Sequence, residues 1–211
     1  MHTKEIRKLF LIVCLGCLFL CSCGLDEYYV IYPPACDNPH PYNQDDQMFY
    51  RFRTATITTL MSSQVLLKGT AIYYKIYPVS NESTMISDIE KIKTANTEFS
   101  SNGYSRITGT YKYQAVKFIS GSNEVEYLSP TGSDIEWTMN LYSNLVRGDG
   151  TGPLKLIKAE SASSVYDGMV EMPSATGDYY INAYAVTVGD VSLQSQYSQL
   201  APLGVLKFTI Q

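Results

Sequence analysis

Tyr179-Tyr180-Ile181-Asn182-Ala183-Tyr184-Ala185-Val186 sets Tyr179, Ile181, Ala183 and Ala185 on one side of an extended chain. Successive side chains of a strand point to opposite faces, so this period predicts a strand with one apolar face over residues 178–188. Lys68-Gly69-Thr70-Ala71-Ile72-Tyr73-Tyr74-Lys75-Ile76-Tyr77 repeats the pattern: Ile72, Tyr74 and Ile76 share a face, and Pro78 ends the run. With that face in the core, Tyr73 and Tyr77 point away from it, and Tyr111 with Tyr113 form a similar pair. Rigid amphipathic rings of this kind suit a glycan-stacking or protein-binding surface, so Tyr73, Tyr77, Tyr111 and Tyr113 are candidate binding residues.

Outward from these two segments the chain continues in the same idiom. Tyr50 to Ile57 opens by alternating aromatic and basic residues; Ser105 to Ile119 alternates, with Gly109 as an expected bulge after a turn at Asn102-Gly103. Val125 to Leu128, Ile135 to Leu145, Tyr166 to Glu171, Gln196 to Leu200 and Val205 to Ile210 add further strands. Residues 84–96 are the one helical segment: Met85, Ile89 and Ile92 recur at helical spacing, and Ser87 with Glu90 stand in capping-box register, which leaves Met85 outside the helix. Roughly seven to ten strands and one short helix predict a mainly β, antiparallel sandwich.

Residues 179–186 resemble the penultimate strand of fibronectin type III domains, in which a tyrosine and then alternate apolar residues enter the core. Residues 68–75 resemble the third strand, which follows a glycine. The resemblance implies an immunoglobulin-like sandwich over residues 47–211, with a large insertion at about 78–165 that carries the helix and extra strands. The chain departs from that family in having no tryptophan upstream of Lys68 and a long separation between the two strands.

A chain of 211 residues suffices for one sizeable core. Its 18 tyrosines and low charge, 17% of residues, favour strands and turns over helices. The net charge is −4, but the first 22 residues carry +2 from Lys4, Arg7 and Lys8 against Glu5, leaving −6 on the remainder. A mildly acidic domain without a basic stripe lacks the electrostatic footprint of a nucleic-acid binder.

Residues 1–22 have the parts of an export signal: the positive start, an apolar stretch from Leu9 to Leu20, and small residues at 21–22. About a dozen apolar residues are too few for an unstrained membrane-spanning helix of ~20. Leu20-Cys21-Ser22-Cys23 resembles the lipobox of bacterial lipoproteins. The resemblance implies cleavage between Ser22 and Cys23, a diacylglyceryl thioether on Cys23, and a palmitate-type acylated amino terminus. Cys21 stands where that family more often has alanine, serine, threonine or valine. Cys17 would leave a very short apolar core, and Cys21 as the acceptor would put bulky Leu20 where a small residue is required. A thiolate is the nucleophile suited to taking a lipid at neutral pH, and several chains anchor firmly at ~0.8 kcal/mol per buried methylene. Asp26 and Glu27 close behind Cys23 look like the acidic signals of surface lipoproteins in Bacteroidetes, and like lipoproteins of spirochaetes, which implies an outer-membrane or cell-surface location. Residues 23–46, rich in proline and acids, read as an extended tether, with Tyr28 to Tyr32 docking on the domain as an edge strand.

The catalytic inventory is thin. With the signal removed, Cys36 and His40 are the remaining thiol and imidazole besides the lipidated cysteine, so neither a disulfide, a histidine triad nor a histidine metal site can be assembled. No cofactor, no metal and no enzymatic activity are expected. Glu124 with Glu126, and Asp134 with Glu136, are the carboxylate pairs a hydrolase would need, and Asp45-Asp46 or Asp149 the acids that could meet calcium. Arg147-Gly148-Asp149, in a glycine-rich turn, matches the adhesion tripeptide read by integrins. The expectation is a lipid-anchored envelope protein acting as a non-catalytic binding or structural module. A glycan-binding or adhesion role and a carboxylate-dependent hydrolase are the alternatives.

Overall fold

A computed structural model describes residues 30–36, 42–44, 47–55, 65–97, 101–120, 123–129, 136–141, 154–158, 167–170, 173–191 and 193–210. The fold is mainly β and antiparallel. In chain order the strands are β1 Tyr42–Gln44, β2 Gln47–Arg53, β3 Val65–Pro78, β4 Gln114–Ala115, β5 Lys117–Ser120, β6 Asn123–Glu126, β7 Leu128–Ser129, β8 Glu136–Leu141, β9 Leu154–Lys158, β10 Asp167–Val170, β11 Gly177–Val191, β12 Gln194–Tyr197 and β13 Ala201–Ile210. Between β3 and β4 lie helix α1, Glu82–Ala95, and helix α2, Asn102–Ser105, which runs on as a π-helical turn over Arg106–Thr110. One sheet follows the order β1-β2-β8-β9-β10-β5-β6. The other follows β12-β11-β3-β4, with β13 also on β11 and β7 also on β3.

The two segments with the strongest alternation become neighbours. β3 and β11 pair from Val65 opposite Val191 to Pro78 opposite Tyr179, with Ile72 opposite Ala185, Tyr74 opposite Ala183 and Ile76 opposite Ile181. This face joins Tyr50 and Phe52 of β2 and Leu203, Leu206 and Phe208 of β13 in one buried cluster. The Tyr50 hydroxyl donates to the Ile181 carbonyl at 3.0 Å, so strand β2 is held to β11 by a hydrogen bond as well as by packing. At Gly69, with φ +155°, a Cβ would lie 2.7 Å from the Ser129 carbonyl, and the missing side chain lets β7 approach β3.

The opposite face of β3 and β11 is buried too. Ala71, Tyr73, Tyr184, Val186 and Val188 pack with Ile92 of α1, Ile107 of the π-helical turn, Tyr113 and Leu200. An antiparallel sheet commonly leaves one face to water; here α1 and residues 101–113 cover it.

Several expectations are corrected by these elements. The helix begins at Glu82, so Ser87 lies inside it; its N-cap is Asn81, which makes no side-chain capping bond. Met85, expected outside, is buried within the first turns. The strand expected over Ser105 to Ile119 is helical to Thr110 and extended only at β4 and β5, so Gly109 sits in the π-helical turn and not in a bulge. Asn96 explains why this segment folds back. Its side-chain amide donates to the Leu200 carbonyl at 2.9 Å and its Oδ1 accepts from the Leu200 amide at 2.8 Å, pinning the end of α1 beside β13.

Residues 78–165 are interleaved with the rest: β8 pairs β2, and β4 and β7 pair β3. Part of the expected tether is packed on the domain. Ile31 and Pro34 are buried, and Ala35 exchanges backbone bonds of 2.9 and 2.7 Å with Arg53.

Ile92 is fully buried between α1 and the sheet. Ile92→Ala is expected to cost about 2–5 kcal/mol in chemical denaturation, as a core truncation that leaves a cavity. A loss below about 0.5 kcal/mol would mean that the second face is not a true core.

Candidate functional site

A buried polar cluster lies in the seam between α1 and the outer face of β3 and β11. Met85, Asp88 and Ile92 share the buried face of α1, which places an acid within an apolar stripe. Asp88 is 9% exposed, and its Oδ2 accepts from Tyr77 Oη at 3.0 Å and from Lys75 Nζ at 3.2 Å. Lys75 Nζ also stands 4.6 Å from the Tyr77 ring centroid, within cation–π range. Tyr77 Oη is 3.4 Å from Tyr113 Oη, which accepts from Asn182 Nδ2 at 2.8 Å. The Tyr113 and Tyr184 rings are 5.5 Å apart.

A second group adjoins it along β3. Tyr73 Oη donates to Glu126 Oε1 at 2.5 Å and lies 3.4 Å from Tyr104 Oη. Tyr104 meets Tyr73 edge-on and stacks on Tyr197 with ring centroids 3.6 Å apart.

The electrostatics of both groups follow from burial. Loss of water pushes the phenols of Tyr73 and Tyr77 well up, reinforced by their bonds to Glu126 and to Tyr113 and Asp88 respectively. Burial likewise raises Tyr113 and Tyr184, and pushes Tyr104 up to about 12, with the Tyr197 hydroxyl adding to the effect. At neutral pH these groups are uncharged hydrogen-bond donors. Asp88 already holds two donors. The arrangement fixes α1 on the sheet.

The candidate binding platform is therefore corrected. Tyr73, Tyr77 and Tyr113 are 5%, 3% and 4% exposed, and Tyr111 is half-buried against the same cluster. They do point away from the first core, but into a second one. Glu126 is engaged by Tyr73, while Asp134 and the side chains of Glu124 and Glu136 lie outside the described residues. Ser22, Cys23, His40, Asp45, Asp46, Arg147, Gly148 and Asp149 also lie outside them. Cys36 packs at the edge of the first cluster, its Sγ 3.5 Å from the Arg51 carbonyl. Among the described residues no group of three His, Cys, Asp or Glu could hold a metal, and no helix is long and apolar enough to cross a membrane.

Asp88 and Asn182 were missed by the sequence reading. The signal for Asp88 was its place between Met85 and Ile92 on the buried stripe. Asn182, with Tyr180 and Tyr184, marks a polar-aromatic outer face on an otherwise apolar strand.

No protein-family model, no curated protein and no solved structure matches the chain.

Tyr77→Phe removes a donor to the buried Asp88 carboxylate and is expected to cost about 1–3 kcal/mol in denaturant unfolding. A second expectation concerns alkali. The buried phenols hold their protons more tightly when folded than when unfolded, where tyrosine titrates near about 10. Stability is thus full below that pH and falls as pH rises above it. Phenolate absorbance should lag behind free tyrosine until the chain unfolds; simple titration near the free value would contradict the buried network.

Proposed function

We propose that the chain is a lipid-anchored protein of the bacterial cell envelope, at the outer membrane or cell surface. Its folded part is an immunoglobulin-like, fibronectin type III-like sandwich acting as a non-catalytic binding or structural module. The observation that carries the anchor is Leu20-Cys21-Ser22-Cys23, closing a positive and then apolar amino-terminal segment.

The sandwich reading is supported by strand neighbours and by one side chain. β3, β11 and β13 lie side by side with β11 central, matching the C-F-G order of that architecture, and β1-β2-β8 corresponds to its A-B-E order. Tyr179, at the start of β11, donates its hydroxyl to the Ala175 carbonyl at 3.0 Å. This is the geometry of a tyrosine corner, in which a tyrosine opening the F strand bonds backbone a few residues upstream.

The module reading is supported by the seam beneath α1, where phenols and Asp88 satisfy one another and hold the fold together. Burial of Tyr73, Tyr77 and Tyr113 withdraws the ring platform from the support for glycan binding.

Mass spectrometry of the amino-terminal peptide from the membrane fraction is expected to find Cys23 first in the chain and carrying a diacylglyceryl thioether. Cys23→Ala should leave unprocessed, non-acylated protein. An unmodified Cys23, or residues 1–22 retained in mature protein, overturns the anchor.

A further inference from the structure

The turn between β11 and β12 carries Leu193, which is 99% exposed and has φ +67°. Two-residue hairpin turns need positive φ and favour Asn or Gly there, while a leucine in that conformation is strained. An apolar side chain both strained and fully in water has no account within the domain itself. The turn is held firmly: Lys68 Nζ lies 2.7 Å from Asp190 Oδ1, and Ser195 Oγ, 3.3 Å from Lys68 Nζ, donates to the same carboxylate oxygen at 2.9 Å.

Leu193 is not alone. Leu66, 66% exposed, pairs with Asp190 at the same end of the sheet. Tyr32, 52% exposed, follows Ile31, and Ile31 is seated at this end on Gly189. A Cβ on Gly189 would lie 3.0 Å from Ile31 Cδ1, so the glycine makes the seat. Three of the five exposed large hydrophobic residues of the described chain thus gather where its amino-terminal segment docks.

That docking sets the distance to the anchor. Eight residue steps join Cys23 to Ile31, and even fully extended they span at most ~28 Å. The lipid would therefore enter the bilayer close to this end of the domain, far from the start of β11 on the order of 40 Å away along the strand.

Resting on the lipid anchor proposed above, we propose that the end bearing Leu193, Leu66 and Tyr32 lies against the same bilayer that holds Cys23. Leucine buried at the acyl boundary and tyrosine at headgroup level are the placements these side chains favour. The occupant of the patch is a lipid surface, and the hairpin sets the orientation of the domain upon it.

The test uses the full-length, processed protein with Cys36→Ser and one reporter cysteine, Leu193→Cys, Leu66→Cys or Ser174→Cys, the last just before β11. Each is labelled with an environment-sensitive fluorophore and reconstituted in phosphatidylethanolamine and phosphatidylglycerol vesicles, with or without doxyl-labelled lipid. Labels at 193 and 66 are expected to shift to the blue and to be quenched by the doxyl lipid, while the label at 174 keeps its aqueous emission. Lipidated protein with water-like emission at 193 and 66 overturns the inference and leaves the anchor standing. A blue shift without doxyl quenching assigns the patch to a protein contact and also overturns it. Protein without lipid on Cys23 removes the anchor and the inference together.

Discussion

The fold depends on the pairing of β3 with β11. Thirteen register pairs join these two strands, and both of their faces are buried. Such a pair must be matched in size as well as in polarity. In the middle of the first face large residues of β3 meet small ones of β11, Ile72 opposite Ala185 and Tyr74 opposite Ala183, while toward its end Ile76 meets Ile181. On the second face Ala71 meets Val186, while Tyr73 and Tyr184 stand opposite each other beneath the helical layer. Because side chains alternate, a slip of one residue would exchange the two faces and set tyrosine against tyrosine in the first core. The register shift after Val188 absorbs Lys68 at the end of the pairing, where its ammonium reaches Asp190 and not the interior.

Burying a tyrosine-rich face carries its own requirement. A phenol withdrawn from water needs a partner, and a buried lysine or aspartate needs one more strongly. The seam meets this by sharing: Asp88 serves Lys75 and Tyr77, Tyr113 serves Tyr77 and Asn182, and Glu126 serves Tyr73. An ion pair of this kind adds little to stability over a well-packed apolar substitute, but it is costly to break from one side. Its effect is on placement. With Asp88 bound to β3, and Asn96 bound to Leu200 at the other end, α1 has one seat on the sheet.

What was legible in the sequence follows the same division. The period-two patterns of residues 68–77 and 179–186 identified the central strands and their first core face, because that face obeys local alternation. Tyr73 and Tyr77 were placed on the correct side of β3, but their burial depends on a helix that packs over them from elsewhere in the chain, which alternation does not reveal. Residues 102–110 were misread because Asn102-Gly103 has turn chemistry, and Gly109 in an alternating run has bulge chemistry. Their helical state is imposed by tertiary contacts: Ile107 is fully buried in the second cluster, and Tyr104 stacks on Tyr197. Ser87 and Glu90 had capping spacing, yet the chain was already helical from Glu82, so the motif lies idle inside α1. Asp88, an acid on the buried stripe, and Asn182, on the outer face of β11, were the signs of the polar seam in the sequence.

The amino-terminal segment links the fold to its proposed setting through geometry and not through chemistry. A free tether would decouple an anchored domain from the membrane and let it take many orientations. Residues 30–36 are instead part of the domain: Ile31 sits on Gly189, Pro34 is buried, and Ala35 is bonded to Arg53 at both backbone groups. Prolines 33 and 34, which in sequence looked like the mark of an extended spacer, fit this role because residues without an amide donor leave no donor unmet where the segment is pressed against the sheet. If Cys23 carries the proposed anchor, the fixed point nearest to it is Ile31 on Gly189 of β11, the strand on which both cores are built.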